Sequence, residues 1–171
     1  MNQSLFIRYF LLILLGLGNF YIFYLIFTPL TLYATLIILN IFSTSFLVSS
    51  TSIFFNGLEI SLIKACIAGS AYYLLTILNL ATPMKDKTRV YSLLFLLGAF
   101  FFLNTIRIVI FSFLASTNFY YFDVAHQISW HLGSTFLVLA IWIINIKMFK
   151  IKEIPFYTDW RKLIKNYKHA K

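Results

Sequence analysis

Three side chains of this sequence carry the chemistry of covalent acyl transfer. Cys66 is the only cysteine, Arg107 is embedded in a long apolar run, and His131 opens the last apolar run. A thiolate is a strong nucleophile, and a histidine can take its proton and later return it to a leaving amine. A guanidinium can hold the oxyanion of the tetrahedral intermediate between those steps. Each residue also has a plainer reading. A lone cysteine in an apolar helix commonly packs as a small hydrophobe, and a histidine at a span end commonly sits at the interface. An arginine at the centre of a span costs about 2.5–3.5 kcal/mol on insertion scales, so it normally has a partner and a purpose, although near a span end it can snorkel. Asn104, at i−3 from Arg107, shares its helix face and can hydrogen-bond the guanidinium or a substrate. Glu59, Asp123 and His126 offer oxygen and nitrogen ligands but no tight metal-site spacing, so neither a metal nor a cofactor is expected.

The elements that must position these residues are membrane helices. The chain of 171 residues is 61% hydrophobic and only 11% charged, and several apolar runs reach the ~20 residues that cross a bilayer. A lipid-exposed span must satisfy its own backbone hydrogen bonds, which favours helices, and the runs are continuous rather than alternating as barrel strands would be. The expected fold is all-α: a polytopic transmembrane bundle over residues 1–149, with a basic tail at 150–171. About five spans are expected, at 9–27, 30–48, 63–82, 90–115 and 130–149, the first two separated by a break at Thr28-Pro29. The first run has no small-residue cleavage site and is expected to be a retained helix rather than a signal peptide. Residues 49–62 are too polar to span, and Asn56-Gly57 between apolar residues predicts a hairpin. Residues 116–129 are expected to form a loop whose aromatics Tyr120, Tyr121 and Phe122 lie at the interface. In the tail, residues 156–167 mix Trp160 and Leu163 with cations, as an interfacial amphipathic helix does.

Charge sets the expected orientation. Eight of the 14 Lys and Arg lie from Lys147 onward, and Lys85, Lys87 and Arg89 crowd the turn after the third span, whereas 116–129 holds none. Basic residues stay on the cytoplasmic side, so that turn and the tail are expected inside and 116–129 outside. Five spans then put the N-terminus outside, with Arg8 a mild counter-signal. A cationic tail of this kind suits anionic lipid and lacks the folded platform of a nucleic-acid site. One cysteine excludes an internal disulfide. With these directions Cys66 opens the third span, Arg107 lies roughly 10 Å inside the outer end of the fourth, and His131 starts the fifth. All three then fall in the outer leaflet, and reversing the protein would move them together.

The order and spacing of these residues resemble the archaeosortase/exosortase family of membrane transpeptidases. The stretches that carry the resemblance are Ile60-Ser-Leu-Ile-Lys-Ala-Cys66-Ile-Ala-Gly69, Asn104-Thr-Ile-Arg107-Ile and Trp130-His131-Leu-Gly133, within residues 53–149. Many members carry an acidic residue two before the cysteine and a small Ser or Thr followed by Gly after it. Here those positions are Lys64 and Ile67-Ala68-Gly69. The chain is also short, like a small archaeal type. The resemblance implies Cys66 as nucleophile, Arg107 and His131 as its partners, and Asn104 in support. It further implies secreted protein substrates that end in a short motif, a transmembrane helix and a basic cluster. The new C-terminus would pass from a Cys66 thioester to an acceptor such as a lipid. Two other readings stand beside this one. A hydrolase would stop at water. A non-enzymatic membrane protein, such as a transporter subunit or assembly partner, would use Arg107 to bind an anionic group and Cys66 for packing.

Overall fold

A computed structural model of the chain describes Phe10, Ile13 and residues 21–151. Four helical segments in it are long and apolar enough to cross a membrane: Tyr21–Phe42, Lys64–Ala81, Asp86–Ser116 and Phe122–Met148. The expected tail helix at 156–167 lies outside the described residues, as does the expected first span apart from Phe10, Ile13 and its last seven positions.

Helix α1, Tyr21–Phe42, runs through Pro29, so Thr28-Pro29 does not divide two spans. Proline removes one helical donor, but its position explains why the helix survives. Phe23, Phe27, Thr31, Thr35 and Leu39 are all buried at i+4 spacing, a stripe that passes Pro29 on the opposite, exposed side. Packing anchors the stripe above and below the proline: Phe27 stacks on Tyr72 at 3.6 Å between ring centres, and Leu39 is fully buried. The helix stops at Phe42 rather than Val48. The Asn40 side chain accepts the backbone N–H of Ser45 at 2.9 Å, and the chain turns into a strand.

That strand corrects the all-α expectation. β1 (Ser45–Leu47), β2 (Ser52–Phe55) and β3 (Leu58–Ser61) form an antiparallel sheet in the order β1-β2-β3. The β2–β3 hairpin turns at Asn56-Gly57 as the sequence predicts. Both residues have positive φ, 48° and 82°, the conformation a two-residue turn of this hand requires. Phe55 is fully buried and meets the ring of Phe113 edge-on at 5.0 Å, which seats the sheet on the fourth expected span.

The third span is split. A single turn, α2 (Lys64–Ile67), is followed by α3 (Gly69–Ala81), with Ala68 between them in the left-handed region at φ 55°. Gly69 then passes so close to α1 that an added Cβ would lie 2.8 Å from the Tyr24 ring. Helix α4 (Asp86–Ser116) is the longest element, and Ser92, Leu96, Phe100, Asn104, Ile108 and Ser112 form its buried stripe, again at i+4. After it, the expected loop at 116–129 is largely helical. α5 (Phe122–Ile128) passes through a π-helical turn (Ser129–Gly133) into α6 (Ser134–Met148). Phe122, Ala125 and His126 face inward at helical spacing, which gives this segment a face to bury.

Polar contacts tie the bundle at the end away from the sheet. Asn79 donates to Ser92 at 2.8 Å, and Ser92 donates to Asn145 at 2.9 Å, linking α3, α4 and α6. Arg89 donates to the carbonyls of Asn79 and Leu80, closing the C-terminus of α3.

Candidate active site

A cavity of about 280 Å³ opens beside the sheet. Residues 58–63, from β3 and the turn after it, form one wall. α2 contributes Cys66, α4 contributes Arg107, Ile108, Phe111, Ser112 and Ala115, and α5 contributes Phe122 and His126. Cys66 and Arg107, 41 positions apart in sequence, thus share one cavity.

Cys66 is a free, half-buried thiol on the single turn of α2. Lys64 keeps its usual partner, since its carbonyl accepts the Ala68 N–H at 3.0 Å, but with the helix broken at Ala68 the later carbonyls of that turn need partners from outside it. Asn104, fully buried on α4, supplies one: its Nδ2 donates to the Cys66 carbonyl at 2.9 Å. Asn104 therefore bonds the Cys66 backbone rather than the guanidinium, and its Oδ1 has no partner among the described residues.

Arg107 is anchored on one edge. Its Nη1 donates to the Ser134 hydroxyl at 2.6 Å and to the Ser129 carbonyl at 3.3 Å. Ser129 opens the π-helical turn and Ser134 follows it, and the wider winding of that turn also has the Ser134 N–H bonded to the Ser129 carbonyl. The Nε and Nη2 hydrogens of Arg107 have no partner among the described residues, and the residue lines the cavity. A planar fork fixed along one edge and open along the other is a preformed site for an oxyanion.

The two histidines are placed differently. His131 lies on the π-helical turn, exposed, with its ring 4.2 Å from that of Trp130, and it does not line the cavity. His126 does line it. Its ring stacks on Phe122 at 5.6 Å and meets Phe111 at 5.3 Å, so two aromatic walls fix the imidazole. His126 lies on α5, within the segment 116–129 where the sequence predicts a loop. The available signal was the i, i+3, i+4 pattern of Phe122, Ala125 and His126. Glu59 lines the same cavity, and Asp123 lines an adjoining one of about 410 Å³ that shares Leu58, Ala115 and Phe122.

Chemically, the cavity combines a thiol, a fixed cation with free N–H groups and an imidazole. No family model, no curated protein and no solved structure matches the chain.

Proposed function

We propose that the protein is a membrane cysteine transpeptidase of the archaeosortase/exosortase type, which cleaves a C-terminal sorting signal from secreted proteins at the outer membrane face. The observation that carries the reading is the shared cavity of Cys66, Arg107 and His126. We give the base role to His126 rather than His131 because His126, and not His131, lines the cavity that Cys66 lines.

In this mechanism His126 takes the thiol proton and the Cys66 sulfur attacks the scissile carbonyl carbon. The carbonyl π electrons move to oxygen, and the oxyanion is held by the free Nε–H and Nη2–H of Arg107. Collapse of the intermediate breaks the C–N bond, and the imidazolium of His126 gives its proton to the departing amine. The acyl group is left as a Cys66 thioester. An acceptor amine or hydroxyl then attacks the thioester carbon and gives its proton to His126; the C–S bond breaks, and His126 returns the proton to the Cys66 thiolate. The substrate helix packs laterally in the bilayer, so that the bond just outside it meets the cavity. The density of basic residues around Lys85–Arg89 and from Lys147 supports a cytoplasmic location for the opposite end.

The test is processing of a secreted protein that ends in a motif, an apolar helix and a basic cluster, co-expressed with wild-type or Cys66→Ala protein. Wild type is expected to release the C-terminal segment and Cys66→Ala to leave it attached. Equal processing by both proteins would contradict the reading.

A further inference from the structure

The cavity meets β3 in an unusual way. A cavity against one face of a strand is lined by every second residue, because side chains alternate. Here the consecutive residues 58–63 all line it. The cavity therefore runs along the edge of the strand, where the main chain is exposed.

The hydrogen-bonding register says which main-chain groups that edge offers. In a two-residue hairpin the closing pair, Phe55 and Leu58, exchanges both main-chain bonds, and bonded pairs alternate along the ladder. Ile53 and Ile60 form the next bonded pair, and the Leu62 N–H continues the period by donating to the Thr51 carbonyl at 2.8 Å. Leu58, Ile60 and Leu62 thus turn their polar groups toward β2. Glu59 and Ser61 turn theirs the other way, to the side on which no further strand lies among the described residues. A donor and an acceptor on each of two residues, spaced two apart, are left without a partner among the described residues, along the cavity that Cys66 also lines.

We propose that the substrate binds as an extended peptide that adds to the free edge of β3 as a fourth strand, pairing with Glu59 and Ser61. The inference rests on Cys66 being the nucleophile of the proposed transpeptidase. An extended peptide is the occupant that matches donors and acceptors at two-residue spacing. Only Leu62 and Ile63 separate β3 from α2, so a strand paired with β3 is guided toward Cys66. The opposite wall, with Phe111 and Phe122, receives apolar side chains of the added strand. Recognition through the main chain fixes the backbone of the scissile segment and leaves sequence preference to the side-chain contacts.

Proline separates this role from folding. Glu59→Pro or Ser61→Pro removes one outward N–H and no β2–β3 bond, a substitution that edge strands accept. Full-length protein in membranes is treated with a pooled hexapeptidyl chloromethyl ketone, or with an alkyl chloromethyl ketone of similar length, and intact mass reads labelling of Cys66. The peptidyl reagent is expected to label wild type roughly tenfold faster than the alkyl one. Each proline is expected to slow the peptidyl reagent about fivefold, the loss of about one main-chain hydrogen bond, with the alkyl rate unchanged. Equal rates for the two reagents, or peptidyl labelling indifferent to both prolines, would overturn strand addition. Where a proline variant fails to fold, its alkyl rate changes, and N-methylation of successive probe residues against wild type decides. Loss with a two-residue period supports the added strand, and a flat profile overturns it. The failure of the enzyme reading has a different signature: processing persists in Cys66→Ala protein, whatever the probes do.

Discussion

The side-chain amide of Asn104 donates to the main-chain carbonyl of Cys66 at 2.9 Å, joining α4 to the turn that holds the thiol. Removing the amide leaves that carbonyl without its partner in a buried setting, at a cost of about 1–3 kcal/mol. Asn104→Ala is expected to lower thermal stability by this amount and to alter the rate at which Cys66 reacts with a small thiol reagent. Asn104→Asp is expected to be worse, because an ionised carboxylate has no donor to offer and faces the carbonyl with oxygen. Unchanged melting and labelling in both variants would remove the positioning role.

Arg107→Lys tests the fork. Lysine keeps the charge but cannot hold Ser129 and Ser134 with one edge while presenting N–H groups to the cavity with the other. Loss of an oxyanion donor typically lowers the rate on the order of 100–1000-fold. The expected outcome is a folded protein with processing reduced by that factor. Near-normal processing would make Arg107 structural.

His126→Ala is expected to abolish processing, whereas His131→Ala is expected to retain most of it. The contrast follows from placement: His126 lines the cavity between Phe111 and Phe122, and His131 is exposed beside Trp130. The reverse pattern would return the base role to His131.

Gly69 is expected to tolerate no side chain. In Gly69→Ala the new Cβ falls 2.8–2.9 Å from three carbons of the Tyr24 ring, and overpacking of this kind typically costs about 1–3 kcal/mol. Thermal unfolding in detergent measures the loss, and Tyr24→Ala in the same chain is expected to return part of it. An unshifted melting point in Gly69→Ala would contradict the close packing of α1 on α3.

What was legible in the sequence follows from which forces act locally. Apolar length marked Asp86–Ser116 to within a few residues, and Asn56-Gly57 marked the hairpin, because span length and turn chemistry are properties of short segments. Pro29 misled, since its local cost is outweighed by a buried stripe that only tertiary contact with Tyr72 reveals. The break at Ala68 was hidden for a similar reason: nothing in Ile67-Ala68-Gly69 demands a left-handed residue, and the bond to the Cys66 carbonyl that accompanies the kink comes from Asn104, 38 positions away. The meeting of Cys66 and Arg107 was legible from span order and direction. That His126 joins them was not, because it depends on α5 starting at Phe122, inside a segment read as loop.

The central claim is that Cys66 forms a covalent acyl intermediate, and trapping it is the most direct measurement. Wild-type protein is incubated in membranes with a cleavable substrate and a poor acceptor, then analysed by intact mass. The account predicts an adduct with the mass of the substrate's N-terminal fragment, located on Cys66, released by hydroxylamine and absent from Cys66→Ala. Cleavage of the substrate with no adduct on wild type, and at an equal rate in Cys66→Ala protein, would contradict it.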